Sequence, residues 1–261
     1  MKHNMITTSF ALSILGCLII FGCATSSTNA RAFEGKRLEP LKNEHYGKDV
    51  DYVAERQLKE AENVNLKAFF QETQKQSLKT GDAIMVWWLP EEHWKMTFGQ
   101  QPNMTSAQVD QLLELLRPYT LIVAVCGKVG IFGGITYESE TTIRNDIHLV
   151  DNQGVNYRPL SEEEIDADTK NFLSMIKPTL ANMLGPLGQN MHFVAFSAKG
   201  KMGQNIAEAK KKGFFSIKLG KNSFKWRLPL ASLLAPKTCP VCEEKMSGAW
   251  QYCPWDGAKL N

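Results

Sequence analysis

The chain has no long run of one charge. Its 30 Lys and Arg stand against 27 Asp and Glu, a formal net charge of +3. The one local basic cluster, Lys210-Lys-Lys212 with Lys199 and Lys201 nearby, sits in a glycine-containing connection where a solvated loop accounts for it. A balance so near neutral gives no argument for a nucleic-acid partner, and the absence of a basic block gives none for a headgroup-binding patch. Catalytic signatures are missing as well. There is no G-x-S-x-G elbow, no phosphate-binding loop and no dinucleotide fingerprint, and Glu91-Glu-His93 lacks the spacing of a metalloprotease helix. Histidine is scarce, with five in the chain. His45, His93, His148 and His192 stand apart, and lone histidines in or beside apolar runs are usually structural. No internal repeat is visible, and no strand-helix-strand unit recurs, which argues against a doubly wound parallel sheet. These gaps do not exclude an enzyme; they remove the familiar ones.

What is present begins at the N-terminus. After the single basic Lys2, residues 6–22 carry no charge, and their apolar centre is Phe10-Ala-Leu-Ser-Ile-Leu-Gly-Cys-Leu-Ile-Ile-Phe21. That is the form of an export signal, with a short basic region and a hydrophobic region followed by small residues. Ile20-Phe-Gly-Cys23 resembles the lipobox of bacterial lipoproteins, an aliphatic residue three positions before the cysteine and a small one immediately before it. The resemblance implies that Cys23 becomes the fatty-acylated first residue of the mature chain, so that the lipid bilayer is a partner through that residue. Ile14-Leu-Gly-Cys17 is a second candidate. An uncleaved anchor is the other alternative, because the stretch approaches the ~20 residues of a spanning helix. Ala24, rather than Asp, follows Cys23, which by analogy with the family implies the periplasmic face of the outer membrane.

From Ala24 to about Asp51 the chain is polar, with Thr25-Ser-Ser-Thr-Asn29, Pro40 and Gly47, the composition of a tether. The division that follows is a signal peptide over 1–22, a tether over 23–51, a globular α+β domain over 52–235 and a small module over 236–261. An apolar content of 43% is ordinary for a body of this size with a real core.

Within the body, strong helix formers predict a helix over 51–77 with Leu58, Leu66, Phe69 and Phe70 on its apolar side. The run Ala83-Ile-Met-Val-Trp-Trp-Leu89, closed by Pro90, predicts a buried strand. Thr105-Ser-Ala-Gln108 has the form of a capping box, and Val109, Leu112, Leu113 and Leu116 continue it as a helix up to Arg117-Pro118. A strand is expected over 119–126. Residues 141–150 read as extended, and Asp151-Asn-Gln-Gly154 as the turn of a hairpin with 155–160. Ser161-Glu-Glu-Glu164 reads as a second capping box opening a helix to about Leu184, with Pro178 as a kink or break. A strand follows over 190–197. The clearest alternation comes last: Phe215, Ile217 and Leu219, then Phe224, Trp226 and Leu228, across the turn Gly220-Lys-Asn222.

Tight turns and one long helical insertion predict an antiparallel, sandwich-like β core decorated by helices. The hairpin 147–157 is similar to those of immunoglobulin-like modules in bacterial lipoproteins, which implies an Ig-like core.

The C-terminus holds the strongest signal. Cys239-Pro-Val-Cys242 and Cys253-Pro-Trp-Asp256 share one form, cysteine then proline, with ten residues between them. A C-x-x-C turn sets two sulfurs at the separation a tetrahedral metal needs, and two such turns facing each other close a site. The segment resembles the C-terminal zinc ribbons of many bacterial proteins, in a variant with aspartate in place of the last cysteine. That resemblance implies structural zinc held by Cys239, Cys242, Cys253 and Asp256. Disulfides remain the alternative, since an exported chain with Cys126 and the three ribbon thiols has enough sulfur for two. Zinc supplies more to so small a segment, an apparent ~10–16 kcal/mol in finger peptides against ~2–4 kcal/mol for a disulfide.

Two functional readings follow. The first is a non-enzymatic envelope lipoprotein serving binding or scaffolding, with an envelope protein as its further partner and no nucleic acid. The second is an envelope enzyme with a cleft between the helical insertion and the β core, in which Glu138, Glu140 or Asp146 act as acids. The six tryptophans are expected in the core before any ligand cleft.

Overall fold

The computed structural model describes residues 66–78, 81–99, 101 and 103–261. The export signal, Cys23, the tether and the first part of the helix expected over 51–77 lie outside the described residues. All described residues belong to one compact unit, Asn63–Asn261. None of their helices is long and apolar enough to cross a membrane.

The described chain opens with α1 (Leu66–Thr73) and passes directly into β1 (Gln74–Ser77). The expected helix therefore stops at Thr73, and the last four residues are strand. Their sequence, Gln-Lys-Gln-Ser, has no strand propensity of its own. Pairing imposes the conformation, since β1 lies antiparallel along β2 (Asp82–Leu89) with Gln74 opposite Trp87 and Ser77 opposite Ile84.

β2 is buried along both faces. α2 (Glu91–Gly99) and α3 (Ser106–Leu116) follow it, and Thr105 caps α3 with both halves of the capping box made. β3 (Tyr119–Val129) pairs with β2 on one side. On its other side β4 (Ile135–Tyr137) takes the C-terminal end, and β7 (His192–Ser197) takes the N-terminal end. Every pairing is antiparallel, and together these make a five-stranded sheet.

The stretch read as extended over 141–150 divides in two. α4 (Glu140–Asp146) forms because the Ser139 hydroxyl accepts from the Thr142 N–H as its N-cap, with Ile143 turned into the core. β5 (Ile147–Val150) then begins, and β6 (Asn156–Tyr157) returns beside it as the expected hairpin. Asp151 holds the turn: its Oδ1 accepts from the Gln153 and Val155 N–H groups at 2.9 Å, and its Oδ2 accepts from the Tyr157 hydroxyl at 2.8 Å. The long helix starts later than the Ser161 motif predicts. Glu164 does reach back to the Ser161 N–H at 2.7 Å, but the chain only turns there, and Asp166 is the N-cap of α5 (Ala167–Met183). Pro178 lies inside α5 and does not end it. Pro178 and Ser174 are both exposed, so the carbonyl that proline leaves unpaired faces water.

β8 (Gly213–Leu219) and β9 (Asn222–Leu228) form the expected hairpin, with Ile217 opposite Phe224 and Phe215 opposite Trp226. β8 also pairs with β5, which gives a second sheet in the order β6-β5-β8-β9.

The two sheets face each other. Ile84, Val86 and Trp88 of the first meet Phe215, Ile217 and Trp226 of the second in one apolar cluster. Trp88 sits edge-on to Phe215 at 4.9 Å between ring centroids, and Phe215 stacks on Trp226 at 5.0 Å. The opposite face of the first sheet, with Met85, Trp87, Leu89, Val123 and Val125, is covered by α2, α3 and α5. The layers therefore run sheet, sheet, helices, an α+β fold with two open antiparallel sheets. After β9, residues Ala231–Leu233 turn once and are capped by Glu72, whose carboxylate accepts from the Ala231 and Ser232 N–H groups at 2.9 Å. That contact pins to α1 the point where the body gives way to the C-terminal module.

Candidate metal centre

The last 25 residues fold around sulfur. β10 (Lys237–Thr238) and β11 (Lys245–Met246) flank the first knuckle, and an isolated bridge between Tyr252 and Lys259 flanks the second. The two knuckles repeat one backbone pattern. In the first, the Cys239 N–H donates to the Glu244 carbonyl and the Glu243 N–H donates to the Cys239 carbonyl, both at 3.0 Å. In the second, the Cys253 N–H donates to Ala258 at 2.8 Å and the Gly257 N–H to Cys253 at 3.0 Å. The fifth residue of each loop is left-handed, Gly257 at φ 73° and Glu243 at φ 58°. Glycine takes that conformation freely, whereas an L side chain is strained in it by about 1–2 kcal/mol. Glu243→Gly is therefore expected to raise the ribbon's resistance to unfolding by up to about 1 kcal/mol, the flexibility of glycine in the unfolded chain offsetting the rest. Hydrogen exchange at the Cys239 and Glu243 amides would read it.

The repeat brings four ligands together. Cys239, Cys242 and Cys253 sulfurs and an Asp256 carboxylate oxygen all lie within 4.8 Å of one another. The Cys242 and Cys253 sulfurs are 3.8 Å apart. Cys239 Sγ stands 3.3 and 3.6 Å from the two Asp256 oxygens. A tetrahedral zinc with bonds of about 2.3 Å to sulfur and about 2.0 Å to oxygen has edges of about 3.8 Å and about 3.5 Å. The set fits a metal ion of this kind, and Asp256 stands where a fourth cysteine would. All four described cysteines are free thiols.

Backbone N–H groups support the ligands. Val241 N–H points at Cys239 Sγ at 3.4 Å, and the Ala258 N–H, the counterpart of Glu244 in the first knuckle, donates to Asp256 Oδ1 at 2.8 Å. The Ala258 N–H is the main cause that holds the Asp256 carboxyl below its ordinary value, with the three thiols adding to it. At Cys242 the Glu244 N–H favours the thiolate. Desolvation and the crowding of Cys239, Cys253 and Asp256 outweigh it and push the thiol up to about 12.

Cys239 and Cys253 are buried with Met246 and Leu260 in a small apolar cluster separate from the two cores of the body. Half of that cluster is ligand.

The acids suggested by sequence are held elsewhere. Glu138 pairs with Lys128 at 3.2 Å, and Glu140 with His192 at 3.2 Å and Arg144 at 4.0 Å. Asp146 closes α4. A cleft of about 520 Å³ does open in the body, but Glu91, Glu92, Arg117 and Lys210 line it with Trp88 and Trp94. Burial pushes the Glu92 carboxyl up, against its own backbone N–H and Lys210. Burial acts on Glu91 too, yet Lys95 and Arg117 hold it below the ordinary value. The sequence signal for this cleft is the adjacent pair Glu91-Glu92 beside an aromatic run. Four tryptophans, Trp87, Trp88, Trp94 and Trp226, are core residues, while Trp250 and Trp255 are exposed on the ribbon.

Comparison with protein-family models, with curated proteins and with solved structures gives no match to this chain.

Proposed function

We propose that this chain is a bacterial lipoprotein of binding or scaffolding type, held by acylated Cys23 at the periplasmic face of the outer membrane, with a terminal ribbon folded on structural zinc. The observation that carries the reading is the Cys239, Cys242, Cys253 and Asp256 cluster at tetrahedral spacing. Four protein ligands fill the coordination sphere of zinc, which is the arrangement of a structural site and leaves no position for substrate. The metal then serves folding, and the exposed Val241, Trp250, Tyr252 and Trp255 of the ribbon are free to meet an envelope protein. The lipid half of the reading rests on Ile20-Phe-Gly-Cys23.

Mass spectrometry of the native protein tests both halves. The expected spectrum shows a chain beginning at Cys23 with a diacyl or triacyl mass, one equivalent of zinc and reduced thiols. A chain with Met1 and no acyl group would end the lipoprotein reading. Oxidised ribbon cysteines without metal would end the zinc reading.

A second reading, an envelope enzyme, draws on the cleft beside Glu92, because a carboxyl raised by burial in a cleft is a feature of catalytic acids. It requires a small ligand that stabilises the native chain and no longer stabilises Glu92→Gln.

A further inference from the structure

Among the described residues, one end of the five-stranded sheet is apolar and uncovered. β3 and β4 are joined by Gly130-Ile-Phe-Gly-Gly134, and Ile131 and Phe132 at its tip are 97% and 100% exposed. The turn is closed by the Gly133 N–H on the Gly130 carbonyl and the Gly130 N–H on the Gly134 carbonyl, with Gly133 at φ 84°. The glycines make the bend, and the two large apolar side chains are what it presents. No charged residue occurs from Val129 to Tyr137. Gly81 and the start of β2 lie against the same end. Asp82 is opposite Lys128, and the Val129 N–H donates to the Gly81 carbonyl at 3.0 Å. Leu78, next after β1, is 77% exposed. Exposed apolar residues scattered singly need no explanation, but a group of them at one protruding end marks a contact surface.

Shape and charge decide what it contacts. The tip is convex, so it cannot enclose a peptide or a small molecule and has to enter an apolar phase itself. A bilayer receives such a tip without a matching pocket. The charges behind the tip offset one another. Lys128 pairs with Glu138 at 3.2 Å, and Asp82 and Asp146 act on the same neighbourhood at Cys126. Lys221 stands in the β8–β9 turn, which Asn222 ties to Ser77 at 3.1 Å. The attraction is therefore to hydrocarbon and not to anionic headgroups. We propose that Ile131 and Phe132, with Leu78 at the same end of the sheet, dip into the interfacial zone of the bilayer, so that the body is docked on the membrane as well as tethered to it. The proposal rests on the lipoprotein reading. A few inserted side chains hold a free protein weakly, and an anchor at Cys23 supplies the high local concentration that makes weak insertion count. Residues 23–51 reach at most on the order of 100 Å when fully extended, which keeps the body near the surface.

The test places a tryptophan at the tip of the full chain. Phe132→Trp is reconstituted into phosphatidylcholine vesicles with and without lipid brominated along its acyl chains, and the emission of the parent, with its six tryptophans, is subtracted. Gln153→Trp, in the exposed β5–β6 turn, is the control. It lies at the other end of the second sheet, since β5 meets β8 with Ile147 opposite Leu219 beside the Gly220 turn. Brominated lipid is expected to lower the added emission at 132 about two-fold and to leave that at 153 unchanged, with no dependence on anionic lipid or salt. Flotation with the vesicles but no quenching at 132 overturns the tip and leaves the anchor standing. Quenching at both positions overturns it too, because the body then lies on the membrane without preference. A blue shift at 132 without quenching assigns the tip to a protein pocket or a second copy and overturns the bilayer. Failure to float overturns the anchor reading and the tip together.

Discussion

Cys253→Ser melts the ribbon and spares the body. The expected result is loss of chemical-shift dispersion and of amide protection after Pro236, while the two-sheet core keeps its cooperative transition. The reason is the size of the cluster around the site: Cys239, Met246, Cys253 and Leu260 are its only fully buried apolar residues, and two of them are ligands. So small an interior does not offset the backbone entropy of ordering 25 residues, whereas zinc contributes an apparent ~10–16 kcal/mol to fingers of similar size. An even share among four ligands is ~2.5–4 kcal/mol, so removing one thiolate should weaken zinc binding by roughly 10²- to 10³-fold. A chelator added to the native chain should produce the same melted ribbon. Asp256→Cys should do the reverse and tighten the site, because it completes the four-thiolate set at a position already within ligand distance. Cooperative unfolding of the whole chain in Cys253→Ser would show that the body and the ribbon are not separate modules. A ribbon that stays protected in chelator would show that metal does not hold it.

The parts of this molecule that the sequence announced are those determined by neighbours along the chain. The two knuckles are six-residue loops whose hydrogen bonds close within themselves, so C-P-x-C and C-P-x-D carried the site in the primary structure. The β8–β9 hairpin was legible because one face is buried and the other mostly exposed, and the α3 start because its capping box needs only Thr105 and Gln108. The errors lie where a distant partner or a competing cap decided. Gln74–Ser77 became strand through β2, not through its own residues. Residues 140–146 became helix because Ser139 caps them, against the β-branched preference of Thr141, Thr142 and Ile143. The Ser161 motif formed one of its hydrogen bonds and lost the helix to Asp166 five residues later. The cleft at Glu92 left only an adjacent pair of acids as its trace and the bare tip at Phe132 none, since both depend on which elements pack beside them and which do not.

His93 shows how far a single buried group can govern the body. It is packed against Phe70, Trp87 and Trp94 with ring centroids 5.8, 5.2 and 5.0 Å away, and its Nε2 has no hydrogen-bond partner among the described residues. In that setting imidazole is one more aromatic ring, and only its neutral form fits. Burial alone drives its pKa down to about 3 from an ordinary 6.5. Above pH 6.5 folded and unfolded chains both carry it neutral, and it adds no pH dependence. Below 6.5 the unfolded chain takes up a proton that the folded one refuses, so stability falls as pH falls, by about 1.4 kcal/mol per unit and ~5 kcal/mol in all by pH 3. Glu92 works in the opposite sense, because a carboxyl raised by burial binds its proton more readily in the folded state. It offsets part of the loss while pH falls through its raised folded value toward 4.5, and adds no further slope below that. Since domains of this size are stable by about 5–15 kcal/mol, the His93 deficit is a large share of the body's stability as pH approaches 3. Urea titrations from pH 7 to pH 4 should show the steep decline in the native chain and a flattened one in His93→Leu, even where the leucine packs less well at neutral pH. Near-ultraviolet circular dichroism of Trp87 and Trp94 would follow the same transition. An identical slope in native and His93→Leu proteins would mean that other groups carry the acid sensitivity and that the imidazole is protonated without cost where it stands.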